Sequence, residues 1–502
     1  MTSGIVVTGG AGGVGARLQD LRSQAGLLDD AGDDVRGWSG SVAALAVHPD
    51  VTAAALLCPV EVAQVAGAAA GATIGVNGLL VVSTGLEASA VVLRASAATY
   101  ESVDATQQQI MEALQNAAGF ALGAALPGLI IGSGVLVVGG GLALLGTPAT
   151  WPTLALALRD VDPASLGAGL MGSLYDNPWL LEGLTAIAPG LVQGTTWSVG
   201  SLLGGPLGGL MLPFVLSGGK WPTGSYEDAV GGLVNAGVML GMFQDTGGAG
   251  VLEVDGDYSE HAPRSVAEIF REQYRLGQDA GQVQVVQVVQ PDGSSAWIVQ
   301  IPGTQEWGTT RGDNPVDLTT NVRLMAGKHT HMADQVARAM RQAAIGSGDP
   351  VMLTGHSQGG ITAAALASDP RFRAEFDVRS VVTGGSPIAR FAIPDSVSVL
   401  ALEHAQDAVP MLEGRKNPDR PNWVTVGRSL PDTAFTVHDP LSDRPGTITI
   451  EPGVGPSHAT DVYADTGKAV DSSTDPSVER WRDQQSPFFS GDAEVTRWDV
   501  TR

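Results

Sequence analysis

The chain has 502 residues, length enough for two or three domains with sizeable cores. A formal net charge of −24 excludes the basic face that phosphate backbones require, so nucleic acid is not an expected partner. The single cysteine, Cys58 in "AALLCPV", excludes an internal disulfide and reads as a small apolar core residue.

The first element is "GIVVTGGAGGVGARL" (4–18), in which β-branched residues run into a glycine cluster and then a helical stretch. The pattern invites comparison with the turn that cradles a dinucleotide pyrophosphate. Such a unit needs a second strand ending in an acidic residue roughly 20 positions on. Here "AGLLDDAGDDVRGWSG" follows, acidic and helical, and no tyrosine has a lysine four positions later. The glycines therefore read as a flexible lead-in to the first helix, and nicotinamide binding is not expected. No basic and then apolar leader is present, so any export is expected to bypass the ordinary signal-peptide route.

Leu18, Leu21, Ala25 and Leu28 repeat at the spacing of one apolar helix stripe. Gly37 and Gly40 in "RGWSGS" are expected to end that helix, and Ser41 to cap a short one. "HPD" (48–50) is expected to break the chain again, and Pro59 to open an alanine-rich helix. A longer helix is expected over about 78–112. Residues 113–158 then carry no charged side chain and no histidine, and a second uncharged run covers 183–219. Each run is long enough to cross a bilayer, which takes about 20 apolar residues. Their glycines suit close helix contact, in lipid or in a buried helical core.

Ordinary composition resumes near residue 220. Residues 264–278 place Val266, Ile269, Phe270 and Tyr274 on one helix face. From 283 onward "VQVVQVVQ", "SAWIVQIPG", a helix around 330–345, "DPVMLTG", a helix after 357, "VRSVVTGGS" and "SVSVLALEH" alternate, the rhythm of βαβ units and a mostly parallel sheet. The strongest local signal is "DPVMLTGHSQGGITAAALAS" (349–368). A buried strand meets Gly355-His356-Ser357-Gln358-Gly359 and an alanine-rich helix follows, the setting of a nucleophile elbow. Gly355 and Gly359 suit a turn too tight for side chains, with Ser357 at its tip.

A serine hydroxyl attacks only when a base takes its proton. Chain order then predicts an acid followed by a histidine. Asp407, just past "SVSVLALEH", is the expected acid, whereas Asp377 and Asp395 precede their strands. His458 in "GVGPSHATDVYAD" is the expected base, on a loop after "GTITIEP". His438 in "FTVHDPL" is the alternative, and His404 lies too near the acid. The oxyanion donors are expected from Thr304, in the "IPGTQEW" turn, and from the Gln358 N–H. Arg311-Gly312-Asp313 reads as a loop, and "SGGKW" lacks the spacing of a phosphate loop. His329 and His331 have no third ligand at a workable spacing; no metal and no organic cofactor is expected.

With these residues in place, roughly residues 285–470 resemble the α/β-hydrolase superfamily, specifically class 3 lipases and esterases. The resemblance is carried by "IPGTQEW", "VMLTGHSQGG", "VVTGGSP" followed by "EHAQDAVP", and "SHATDVY". "GTQEWGTTRGDNPVDLTTNVRLMAG" is similar to hydrolases of actinobacteria. The resemblance implies a Gly-Thr turn that supplies the oxyanion hole, an acid after the "GSP" strand, and a final His followed closely by a Tyr, here Tyr463. Pro302 stands where those lipases usually have arginine, which leaves the acyl preference open. The N-terminal part resembles type VII secretion substrates through Trp38-Ser39-Gly40 between helices and through Tyr100 and Asp104 of "YESVD". That implies a secreted or cell-envelope protein handled by type VII machinery, with a cytoplasmic protein as the alternative.

The expected plan is a helical region over 1–112, a Gly-rich apolar region over 113–225, connecting helices over 226–284, an α/β-hydrolase domain over 285–470 and a tail over 471–502. The expected activity is serine-dependent cleavage of carboxylic esters, lipid or acyl, with 113–219 either bringing the domain to a membrane or covering the site as a lid. The alternative is a secreted, membrane-interacting protein with a silent hydrolase scaffold.

Overall fold

The computed structural model describes residues 4–10, 18–74, 78–100, 115–120, 178–216, 219, 225–239, 241–247, 250–254, 263–440 and 446–502. The chain divides into two compact units, Met1–Val14 with Phe214–Arg502, and Gly15–Pro213.

The first unit is built on one mixed sheet with helices on both faces. Its strands are β1 (Ile5–Gly9), β2 (Val251–Val254), β3 (Gln282–Val289), β4 (Ser295–Ile301), β5 (Pro350–His356), β6 (Asp377–Gly384), β7 (Ser398–His404), β8 (Trp423–Arg428) and β11 (Asp492–Val500). Their order is β1-β8-β7-β6-β5-β4-β3-β11-β2. The middle five, β4 to β8, run parallel and lie in sequence order, while β1, β3, β11 and β2 add antiparallel flanks. β9 (Phe435–His438) and β10 (Thr447–Ile450) form a separate hairpin.

Side chains alternate between two cores. Val351 and Leu353 enter one with Val299 and Ile301, and Met352 enters the other with Ile298. Right-handed crossovers between parallel strands in sequence order fall on one face. That face holds Met332, Val336 and Met340 of the helix His331–Gln342, Ala363 of the helix Gln358–Ser368, and Phe372. The opposite face is covered from outside this run, by Ile269 and Phe270 before it and by Tyr463, Trp481 and Phe488 after it.

Three expectations change here. The glycine-rich start is not a flexible lead-in through residue 10: it forms β1, paired antiparallel with β8 from Ile5↔Arg428 to Gly9↔Val424. Gly9 and Gly10 (φ +74° and +71°) then turn the chain away, beside Trp423 and Ser477. Residues 471–502 are not a tail; they carry the helix Pro476–Gln484, with Trp481 buried, and β11 inside the sheet. The stretch 226–284 holds strand β2 and the start of β3 besides its helices.

In the second unit one helix runs from Leu18 to Ala46, through Gly37 and Gly40. A mid-helix glycine costs roughly 1 kcal/mol, an amount that packing along the helix Leu79–Tyr100 offsets. Ser83 Oγ donates to Gly32 O at 2.9 Å, Ala25 and Ala90 are buried, and Arg36–Glu87 and Arg94–Asp29 ion pairs link the two helices. Trp38-Ser39-Gly40 is therefore helical, which removes the turn between helices expected there; Asp104 lies outside the described residues. The break at His48-Pro49 and the helix opening at Pro59 are as expected.

Most of 113–158 lies outside the described residues. The run 183–219 falls largely in the helix Pro178–Leu216, which is interrupted at Gly204 and Gly205 and so is not one straight span. Its glycines bring backbones together: a Cβ on Gly190 would overlap the Asn116 carbonyl, and one on Gly200 the Gly208 carbonyl. By length and hydropathy alone, the stretch able to cross a membrane among the described residues is Pro59–Ala95, whose mean hydropathy reaches 1.8.

Candidate active site

β5 delivers Ser357 at φ 54°, ψ −122°, and the helix Gln358–Ser368 begins at the next residue. Glycine, which has no Cβ, would reach this conformation easily; serine holds it at a cost of order 1–3 kcal/mol. Close packing enforces it. A Cβ on Gly355 would overlap Gly359, and one on Gly359 would come within 2.9 Å of Pro302 O and overlap Ile301 O. The helix is thus pressed against the ends of β4 and β5, with glycine required at both positions. Ser357 N donates to Gly384 O at 3.0 Å, and Ser386 Oγ lies 2.9 Å from Ser357 O.

Asp407 follows β7 and is fully buried. Its Oδ2 accepts from His458 Nδ1 at 2.7 Å and from the Tyr463 hydroxyl at 2.7 Å, while Oδ1 accepts from Val409 N at 2.9 Å. Three donors meet the need of a buried carboxylate for partners. The bond fixes the proton of His458 on Nδ1 and leaves Nε2 as an acceptor, with the side chain 18 % exposed. The Tyr463 hydroxyl is held well above its ordinary pKa, first by burial and then by the Asp407 charge, and so stays a donor. Gly385 closes the space behind the pair: a Cβ there would stand 2.9 Å from Asp407 Oδ2 and 3.0 Å from His458 Nδ1. No hydrogen bond joins Ser357 Oγ to His458 among the described residues.

The turn after β4 approaches the same place. A Cβ on Gly303 would lie 3.1 Å from His356 O and 3.5 Å from Ser357 Cβ. Next to it, Thr304 Oγ1 accepts from Asn321 Nδ2 at 2.8 Å. The Thr304 and Gln358 amides have no protein acceptor among the described residues. The Gln358 side chain faces away and donates to Asp317 O at 2.8 Å. Asp317 is buried and held by Arg502 through two bonds, 2.6 and 2.9 Å; Arg502 Nε also reaches Asp245 at 3.0 Å. Opposite charges there satisfy one another away from water.

Ser357, Gln358, Thr304 and Asp407 thus lie at or just past the carboxyl ends of parallel strands β4, β5 and β7, with His458 bonded to Asp407. His438 ends β9 opposite Thr447 in the separate hairpin. Asp377 opens β6 at the other end of that strand and pairs with Arg379 at 2.8 Å. His329 pairs with Asp334 at 3.2 Å while His331 Nε2 meets Thr501 O at 2.9 Å, so the two face different partners. Two residues passed over in the sequence belong to the surroundings of His458. His404, set aside for its nearness to the acid, is buried beside Ser457, and His356 of the elbow motif is buried beside His458. A signal for His356 lies in the sequence, since an imidazole next to Ser357 in so tight a turn must be packed against something. No family model matches the chain, and neither does any curated protein or solved structure.

Proposed function

We propose that the unit containing Ser357 has an α/β-hydrolase fold and is a serine hydrolase cleaving carboxylic esters of the lipid or acyl class. The observation that carries this reading is the 2.7 Å bond from His458 Nδ1 to the buried Asp407, at the sheet end where Ser357 is held in a strained turn. His458 Nε2 takes the proton as Ser357 Oγ attacks the ester carbonyl, and returns it to the leaving alcohol. Asp407 keeps the imidazole in the required tautomer and stabilises its charged form. The two unclaimed amides, of Thr304 and Gln358, receive the oxyanion, each such donor contributing about 3 kcal/mol to the transition state. Water then repeats the sequence on the acyl-enzyme. Nucleophile–base bonds of this kind often tighten only in the reacting complex, so the open Ser357–His458 link leaves the pairing available. None of these steps calls on a metal or organic cofactor.

Replacing Ser357 by alanine is expected to abolish both labelling by a fluorophosphonate and cleavage of p-nitrophenyl esters. Retained turnover in that variant would overturn the reading.

A second reading, a membrane-contacting protein with a silent scaffold, is favoured by one observation: Pro59–Ala95 is apolar and only a small share of it is buried within its unit, with Val60, Val65 and Val81 on the surface. Flotation of the full chain with liposomes, together with absence of fluorophosphonate labelling, would select it.

A further inference from the structure

His356 and His404 are buried, come from different strands and take no part in the proton transfers above. β5 ends on His356, one residue before Ser357, and β7 ends on His404, three residues before Asp407. Their bonds converge on one dipeptide. His404 Nδ1 lies 2.7 Å from Ser457 O, and His356 Nε2 lies 2.7 Å from His458 O. A carbonyl can only accept, so each of these nitrogens carries the proton and donates. The other two nitrogens then accept, His404 Nε2 from the Thr466 hydroxyl at 2.7 Å and His356 Nδ1 from the Thr460 hydroxyl at 3.1 Å. Both tautomers are fixed. The rings are also wedged: His404 stacks on Tyr463 at 3.8 Å and 17°, and His356 lies 4.5 Å from the His458 ring. His458 itself follows a helix of only four residues, Val454–Ser457, which gives its backbone little support of its own.

We infer that His356 and His404 are positioning residues, two neutral imidazoles that grip consecutive carbonyls of the loop and seat His458 on Asp407. The inference rests on the hydrolase reading above. One imidazole is tied to the nucleophile's strand and the other to the acid's strand, so the base is registered against both partners at once. Burial favours the neutral form of each ring: His404 is lowered to about 4 and His356 well below the ordinary histidine range.

The test uses the full chain with His356→Leu, His356→Gln, His404→Phe and His404→Asn. The Leu and Phe variants keep apolar bulk without a donor; Gln and Asn restore an amide donor near the lost nitrogen. Expected is a fall in kcat of about 100-fold for His356→Leu and His404→Phe, with KM within about twofold, since small misplacement of a base is costly. The Gln and Asn variants should regain about tenfold. In proton NMR, the downfield His458 Nδ1–H resonance, identified by its absence in His458→Ala, should persist in wild type and the Gln variant and vanish in the Leu variant. Wild-type kcat in both donor-less variants would overturn the inference. So would equal losses in His356→Leu and His356→Gln at equal Tm, which would mark mere packing. If wild type is neither labelled nor active, the hydrolase reading fails, and the NMR signal alone decides the grip: its persistence in His356→Leu and His404→Phe overturns it. Should those two variants not fold, Thr460→Val, which frees His356 Nδ1, is read by the same resonance, where no change overturns.

Discussion

Two buried titratable residues give the stability of this chain opposite slopes with pH. His404 has its imidazole lowered to about 4, chiefly by burial. Between about pH 4 and 6.5 the unfolded chain binds a proton that folded His404 refuses, so stability rises with pH there and is lost on acidification. Glu413 behaves the other way. Burial pushes its carboxyl up to about 8, although the Ala389 and Arg390 amides donate to it at 2.9 and 3.0 Å. Between about pH 4.5 and 8 folded Glu413 keeps a proton that the unfolded chain has released, so stability falls as pH rises. The slopes oppose up to about 6.5, and above it Glu413 acts without the counterslope of His404. Thermal unfolding should therefore show Tm declining from pH 6.5 to 8, and Glu413→Gln should flatten that limb. An unchanged decline in the variant would show that another group titrates.

The elbow stores strain in one residue. Ser357 holds φ 54°, a conformation glycine adopts without penalty. Ser357→Gly is therefore expected to raise stability by about 1–2 kcal/mol in denaturant unfolding while losing the proposed ester cleavage; Ser357→Ala should lose that cleavage with no such gain. A Ser357→Gly variant no more stable than Ser357→Ala would argue that the turn carries no strain. This element was legible in the sequence because its signal is local: a β-branched strand, two glycines at fixed offsets and a helix. Asp407 and His458 were legible for a related reason, as strand ends and loop placement follow from the βαβ rhythm. The helix Leu18–Ala46 was misread at Gly37 and Gly40, where the local glycine penalty loses to packing along Leu79–Tyr100. Tyr463 could be named from a resemblance, yet its hydroxyl on Asp407 is a contact across 56 positions that spacing does not reveal.

At the scale of the whole chain, the first unit is discontinuous. β1 comes from residues 5–9 and its partner β8 from residues 423–428, with the entire helical unit between them in sequence. Antiparallel flanks of this kind, β1 on β8 and β11 on β3, leave no trace in the sequence beyond short β-branched runs. Deleting residues 1–14 should leave the outer edge of β8 unpaired and remove the half-buried Ile5 and Val7 from the core beside them. A loss of about 2–4 kcal/mol and a tendency to aggregate are expected. A peptide spanning Gly4–Gly10, added in trans, should recover part of the loss; a deletion variant as stable as the full chain would show β1 to be dispensable.

The same strand sets an order in time. At roughly 5–20 residues per second, a ribosome making this chain would emit β1 roughly 20–80 seconds before β8 exists to receive it. For that interval "GIVVTG" travels as an unpaired β-branched segment while the helical unit is synthesised and folds. β11, at residues 492–500, arrives later still. The parallel middle of the sheet can assemble as it emerges, and its two flanks are sealed only once β8 and then β11 have followed. A nascent chain stalled before residue 423 should therefore expose residues 4–10 to a strand-binding chaperone or a protease, and one released after residue 428 should protect them.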